Sequence, residues 1–507
     1  MSEISAPLAE RTARGMAWRF TSKFSAFGLR LLVLVLLARL VSVDAFGLLY
    51  QALIVTGLAT LVSEIGMGPA LVQRRELTDT HIRVAFTVSA LSGAALMAVV
   101  WFGATLAAMA FRTPEVIPVI RLISCTCLLT SLGTTAGALL QRRLAFRKLF
   151  VVEFLSYLIG YGGVGVTLAY AGYGVWALAW AVVVEALLRA ALYYAAHSHP
   201  VRPCLARSEA GQLCNFGTGI TLARLANFAA LSGDNFVVGR QLGAAALGLY
   251  GRAYQLMTLP ISEFSDVVGA VLFPAYAEIQ NQPDRLRRAF LASISISALV
   301  VFPMLVALII AAPELVIGVF GAQWADAVVP LQILCLGGGL RAMYSLGDSV
   351  ARARGAVYSQ SWRHTLYALC VIAASIVGTT WGITGVAGGV VAAVAVMYVL
   401  MAQLSLRLIG ASWRAFFVAQ LPGLLLAVAV AGLVFPLTTL LRAACLPPLV
   451  TLAGTLLLSL VTAATVGLLL PRRWHDHTVL AALQRAQRHC AVTVSSLWLR
   501  YRHGAVS

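Results

Sequence analysis

The stretch ARLVSVDAFGLLY at residues 38–50 returns as GRQLGAAALGLY at 239–250, with a constant offset of 201 that pairs Arg39 with Arg240, Gly47 with Gly248 and Leu48 with Leu249. Upstream, the same offset pairs Lys23 with Arg224. Downstream, Ser63-Glu64 is echoed by Ser262-Glu263, Val116-Ile117-Pro118 by Val328-Val329-Pro330, and YGVWA at 173–177 by TGVAG at 384–388. The offset drifts by about ten residues along the way, as insertions in connecting loops produce. A repeat this long carries several helices, so it is a duplication of a bundle rather than of a motif. The chain therefore reads as two six-helix lobes in the same orientation, 1–196 and 213–410, joined by a basic cytoplasmic linker at 197–212. Two additional transmembrane helices at 411–471 and a basic cytoplasmic tail at 472–507 follow.

What surrounds the repeat is apolar almost throughout. Hydrophobic residues make up 60% of the 507 and charged ones only 11%, with a mean hydropathy of +0.88, whereas a soluble domain carries about a quarter charged residues. The bilayer is then the solvent, and a span needs roughly 20 mostly apolar residues. On that criterion spans fall at about 17–41, 45–72, 83–110, 116–140, 149–170, 174–196, 213–240, 246–273, 288–312, 327–351, 364–380, 383–406, 415–436 and 446–470. Pro313, Pro436 and Pro447-Pro448 stand at expected span ends, where a helix breaks anyway. The first apolar run is too long for a signal-peptide core and has no A-x-A site, so it is read as a retained helix. The expected fold is an all-α membrane protein of about fourteen transmembrane helices: two pseudo-symmetric six-helix lobes around a central cleft, plus two C-terminal helices.

The formal charge of +18 raises the question of nucleic acid, which clustered Lys and Arg bind by releasing counterions. Here the cations, all Arg except Lys23 and Lys148, sit in short connections between apolar runs, a topology signal and not a nucleic-acid face. Every second connection is basic: Arg74, Arg75 and Arg83; Arg142, Arg143, Arg147 and Lys148; Arg202 and Arg207; Arg285, Arg287 and Arg288; Arg352, Arg354 and Arg363; Arg407 and Arg414. Both terminal segments are basic too, while the intervening connections hold only Arg112, Arg240 and Arg442. The bias places both termini in the cytoplasm.

Charges inside spans cost several kcal/mol unless paired or hydrated, so they mark cavities or relays. Arg30, Glu64, Arg224, Asp234, Arg252, Glu263 and Asp266 fall on the leading helices of the two repeats, and Arg341 on a later one. Arg30, Arg224, Arg252 and Arg341 form a candidate cationic lining for an anionic substrate, because the guanidinium fork grips phosphate oxygens and stays charged. Glu64, Asp234, Glu263 and Asp266 are candidates for ion coupling. Salt bridges between these groups, or arginines reaching out to the interface, are the competing reading. Glu153 and Asp348, beside Arg147, Arg352 and Arg354, read as local ion pairs. The eight cysteines show no CxxC and no histidine at zinc-ligand spacing, so no metal site is expected. No Walker motif, GxSxG or extracytoplasmic carboxylate cluster is present, so no catalytic residue and no cofactor are assigned, and movement would be driven by ion or substrate gradients.

Through LARLVSVDAFGLLYQALIVTGLATLVSEIGMGPALVQRREL at 37–77, LQRRLAFRK at 140–148, VVGRQLGAAALGLYGRAYQLMTLPI at 237–261 and LFPAYAEIQ at 272–280, the chain resembles the Wzx-type oligosaccharide flippases. These form the polysaccharide transporter family of the multidrug/oligosaccharidyl-lipid/polysaccharide exporter superfamily, and the likeness is to its colanic-acid-type branch. The resemblance implies a non-enzymatic, alternating-access flippase in the bacterial inner membrane. Its substrate would be undecaprenyl-pyrophosphate-linked oligosaccharide repeat units for exopolysaccharide, capsule or O-antigen synthesis, with a polysaccharide polymerase and export machinery as further partners. The alternatives are a drug or cation antiporter of the same superfamily, or a membrane glycan polymerase. A polymerase would need a large polar extracytoplasmic loop, and the longest here, around 311–327, is short and mostly apolar.

Overall fold

The computed structural model describes residues 25–63, 68, 71–72, 77–143, 145–204, 228, 231–444 and 446–469. These form fourteen long helices and, among the described residues, no strand. They are α1 (25–40), α2 (Val43–Ser63), α3 (Asp79–Phe111), α4 (Val116–Arg142), α5 (Phe146–Tyr170), α6 (Val175–Ala196) and α7 (231–241). After them come α8 (Gly243–Glu278), α9 (Pro283–Pro313), α10 (Val328–Ala353), α11 (Val357–Gly378), α12 (Gly382–Ile409), α13 (Trp413–Ala443) and α14 (Pro448–Leu469). Hydrocarbon offers backbone groups no partner, so each span satisfies its own as a helix.

Several helices start earlier than the apolar runs do. The edges expected at 288, 364 and 415 lie at Pro283, Val357 and Trp413, because an apolar criterion sees the hydrocarbon-crossing part and misses polar turns beyond it. Local chemistry sets these ends. Thr78 caps α3 in a reciprocal box with His81, its hydroxyl accepting from the His81 amide while His81 Nδ1 accepts from the Thr78 amide, and Ser412 Oγ accepts from the Ala415 amide at 3.2 Å to open α13. Pro436 does not end a span as expected; it lies inside α13 together with Pro422, a position membrane helices tolerate because their neighbours re-satisfy the freed carbonyls. Among the described residues, ten segments are long and apolar enough to cross a membrane, α11 and α12 counting as one. Although 36 residues long, α8 is not among them, since Arg252, Glu263 and Asp266 interrupt its apolar surface.

The helices form two compact units. The first takes the chain to Gln255, with Val316–Pro330 and His364–Val390. Small residues let its helices touch: a Cβ at Gly93 on α3 would meet Ser131 of α4 at 2.5 Å, and one at Gly160 on α5 would meet the Glu185 backbone of α6 at 2.8 Å. Gly160 sits in a π-helical stretch, Leu158–Gly165, which widens α5 where it meets α6. Just past α6, His199 packs edge-on against Phe86 and Tyr194, and burial pulls its pKa below the usual histidine value, keeping the ring neutral.

The second unit holds Leu256–Leu315, Leu331–Arg363 and the chain from Val391. Here α13 lies on α9, with Gly423 against the Ala298 backbone (2.4 Å from an added Cβ), and reaches α12 through Gln420 and Tyr398, whose polar ends are 2.8 Å apart. Paired hydroxyls of Thr438 and Thr455 at 3.1 Å tie α13 to α14. Large apolar side chains such as Phe102, 78% exposed, and Leu106, Val428 and Leu460 cover the outside, as lipid-facing helices require.

Candidate functional site

The two copies of the repeated stretch meet each other. A Cβ added at Gly47 of α2 would lie 1.8 Å from the Ala244 carbonyl oxygen of α8, and one at Gly248 of α8 would lie 2.3 Å from the Val43 carbonyl oxygen of α2. Residue 244 is the repeat partner of 43, and 248 of 47, so the contact is reciprocal. One step further, Tyr50 lies against Gly251, its own repeat partner, at 2.9 Å from an added Cβ. Glycine is required here because backbone touches backbone.

The arginines of the motif obey the same symmetry. Arg39 donates from Nε to the Val319 carbonyl at 2.8 Å and from Nη2 to that of Gly318 at 2.6 Å. Its counterpart Arg240 donates to the Ala110 carbonyl at 2.6 Å. Each thus satisfies carbonyls left open where a helix runs out, on α3 for one and on the π-turn after α9 for the other. Arg442 is likewise committed, to Glu314 at 2.6 and 2.9 Å and to the Ile310 carbonyl at 2.8 Å. Arg39 and two of the three exceptions to the cation bias, Arg240 and Arg442, therefore have structural work at helix ends.

Residues 314–327 continue α9 as a π-turn and then a 3-10 turn, Ala322–Ala327. In the first unit, Gln323 and Trp324 donate to the Ala38 carbonyl at 2.7 and 2.9 Å. Trp324 also meets Phe46 edge-on, with ring centres 5.4 Å apart. Under this clamp lies Arg252, 1% exposed. Its guanidinium carbon stands 4.4 Å from the Phe46 ring centre, 5.1 Å from that of Trp324 and 5.7 Å from that of Phe320. Nη1 donates to Gln255 Oε1 at 2.9 Å, and Tyr50 donates to the same oxygen at 3.1 Å. Nε and Nη2 are buried with no hydrogen-bond partner among the described residues, and no described carboxylate pairs with the group. Arg252 is thus a desolvated cation with two unused donors.

Arg30 is exposed on α1, 5.8 Å from the Tyr157 ring centre, and Tyr157 is within electrostatic reach of both Arg30 and Arg252. The structure so gathers these two arginines about one tyrosine, which itself stacks on Tyr161 at 4.8 Å. Asp234 of α7 is buried and bonded: Tyr250 donates to Oδ2 at 2.8 Å, and the Asn235 amide to Oδ1 at 2.8 Å. Arg341 and Glu263 are half-buried in the second unit, each with interactions of its own. Glu64, Arg224 and the side chain of Asp266 lie outside the described residues. Glu153 does not form the expected local ion pair with Arg147; it accepts from Tyr193 at 3.2 Å, because α6 lies alongside α5 and brings the phenol closer. The sequence reading also missed a cavity beside Glu153. Its one linear signal was a face of small and polar residues on α4, Thr130, Gly133, Thr134, Gly137 and Gln141, at helical spacing.

Stacked apolar helices that touch through their repeated stretches, and an arginine buried without a carboxylate among the described residues, define a multi-pass helical membrane protein. Comparison with solved structures bears out the fold: the lipid II flippase MurJ in its inward closed conformation superposes with a TM-score of 0.70 at 15% identity, over 88% of this chain and 98% of that one. The chain belongs to the polysaccharide biosynthesis protein family, whose profile matches residues 36–329. Its relatives include the lipopolysaccharide biosynthesis protein WzxC of Escherichia coli K12, 27% identical over 69% of this chain and 71% of that protein. The succinoglycan biosynthesis transport protein ExoT of Rhizobium meliloti is 29% identical over 66% of this chain and 67% of its own length. The resemblance to polysaccharide flippases, the fold class and the fourteen helices all stand.

Proposed function

We propose that the protein is a flippase that carries undecaprenyl-pyrophosphate-linked oligosaccharide repeat units across the bacterial inner membrane for surface polysaccharide synthesis, exposing its site to one side at a time. The observation that carries this reading is Arg252, a permanent cation buried, among the described residues, without a carboxylate partner and with two donors unspent. A site built for a cationic drug would place a carboxylate there, whereas a pyrophosphate supplies the missing counter-charge and the acceptors. Arg30, Arg341 and Arg224 would join it in holding the headgroup, and Glu64, Asp234, Glu263 and Asp266 are the carboxylates through which an ion gradient would act. That relatives are named for lipopolysaccharide biosynthesis and succinoglycan transport supports the same substrate class, with a polymerase and export machinery downstream.

Deleting the gene in its host is expected to abolish surface polysaccharide and to accumulate lipid-linked repeat units sealed inside spheroplasts, out of reach of an added glycosidase. Polysaccharide lost without such accumulation would place the protein at another step, and polysaccharide retained alongside new sensitivity to cationic dyes would favour the antiporter.

The alternating cation pattern leads us to place both termini in the cytoplasm. Alkaline phosphatase fused after Pro471 should then be inactive, and fused at Thr379–Trp381, between α11 and α12, active. The reverse pattern would sink the topology.

A further inference from the structure

A cavity lies apart from the arginine cage. A space of about 690 Å³ opens within the first unit between α4, α5 and α6, with Gly68 and Val72 also on its wall, and none of its described lining residues belongs to the Arg252 cage. That volume falls within the ~300–1,000 Å³ typical of pockets for small organic ligands. One wall is bare backbone: a Cβ at Gly133 would come 3.1 Å from Ala190, and one at Gly137 would come 3.4 Å from the Tyr193 ring. Glycine there lets α4 close directly on α6 at the edge of the space.

The polar groups around it are of a particular kind. Tyr193 donates to Glu153 Oε1 at 3.2 Å, and Arg189 Nη1 to Glu185 at 2.9 Å. The second oxygen of Glu153, the remaining N–H groups of Arg189 and the whole Gln141 amide bond to no other described residue. Thr130 and Thr134 donate to helix carbonyls, of Thr126 and Thr130, which leaves their oxygens free to accept. The cavity thus offers a carboxylate, a guanidinium and an amide, each planar with paired donor or acceptor atoms, beside the phenol of Tyr193. Neighbouring hydroxyls on a pyranose ring match such pairs, each acting as donor and acceptor at once, and the C–H face of a sugar packs on an aromatic ring. A phosphate does not suit the place, since Glu185 already neutralises Arg189 and Glu153 adds negative charge.

Position adds to the chemistry. Gln141 immediately precedes Arg142 and Arg143, and Glu153 follows Arg147 and Lys148 by little more than a turn, so the cavity sits at the basic ends of α4 and α5, the side on which a cytoplasmically made substrate would be loaded.

We propose that this cavity is a saccharide subsite that takes one or two sugar rings of the lipid-linked glycan, separately from the arginine that holds the phosphates. This rests on the flippase reading, and the test separates the two. Purified protein in nanodiscs is titrated with undecaprenyl pyrophosphate bearing no sugar, and with the lipid-linked repeat unit extracted from a host lacking the protein. The Glu153→Gln, Gln141→Ala double variant changes only rim groups, and its fold is checked by thermal melting. It should bind the glycan-bearing lipid about tenfold or more weakly, as loss of one or two such hydrogen bonds predicts, and the sugarless lipid unchanged. Equal weakening for both lipids, or for neither, would overturn the subsite. So would unchanged glycan binding with lost dependence of transport on a proton or sodium gradient, which would make Glu153 a coupling group. Wild-type protein that binds neither lipid would instead refute the flippase reading, and the subsite with it.

Discussion

Gly47→Ala will yield no folded protein, and Gly248→Ala much less than the parent, when each is extracted in mild detergent and run by fluorescence-detected size exclusion. The added methyl carbons would sit 1.8 Å from the Ala244 carbonyl oxygen and 2.3 Å from that of Val43. Those neighbours are backbone, so no rotamer change can relieve the contact. Overpacking by a side chain typically costs ~1–3 kcal/mol, and prising two helices apart along their length costs more, since every contact flanking the crossing loosens with it. Gly103→Ala and Gly432→Ala are the controls: an added Cβ there meets nothing within 4 Å, and both should behave as the parent. Gly47→Ala protein with parental yield and melting temperature would show that α2 and α8 do not cross at these residues.

That crossing was legible in the sequence as far as symmetry reaches. The offset of 201 between residues 38–50 and 239–250 already equated Gly47 with Gly248 and Arg39 with Arg240, and identical residues at equivalent places in two parallel repeats do identical work. The helix count was legible too, because the thickness of hydrocarbon fixes how long an apolar run must be. Helix ends were less so: the first turns of α9 and α11 are polar, and hydropathy is silent about helix outside the bilayer core. The segment 314–327 was harder still. Apolar, short and without a period of its own, it reads as a plain loop, and only docking reveals that Gln323 and Trp324 bond the Ala38 carbonyl. The cage of Arg252 draws Phe46, Phe320 and Trp324 from far along the chain, so sequence marked the cation but not its surroundings. Glu153 shows the same limit, since its linear neighbours are cations and its actual partner is a tyrosine on another helix.

Arg252→Met should abolish polysaccharide export while leaving the protein as stable as the parent or more so. The argument compares two magnitudes. Burying a guanidinium with no carboxylate beside it among the described residues costs several kcal/mol after relaxation. The aromatic rings and the bond to Gln255 return only part of it, ~2 kcal/mol or somewhat more for cation–π contacts in a dry site and ~1.5–3 kcal/mol for a charge-assisted hydrogen bond. A residue that merely held the fold together would not be chosen at such a cost, and replacing buried charge by an apolar side chain of similar volume is often neutral or stabilising by ~1–4 kcal/mol. Arg252→Met should therefore melt no lower than the parent in detergent, yet lose export about 100-fold or more, the equivalent of two charge-assisted hydrogen bonds to phosphate. Arg252→Lys keeps the charge but loses the planar fork that lies against Phe46, and it should retain a small fraction of export. Reduced melting temperature together with lost export would make Arg252 a structural cation held by its cage. Parental export by the methionine variant at parental protein levels would remove it from the phosphate site altogether.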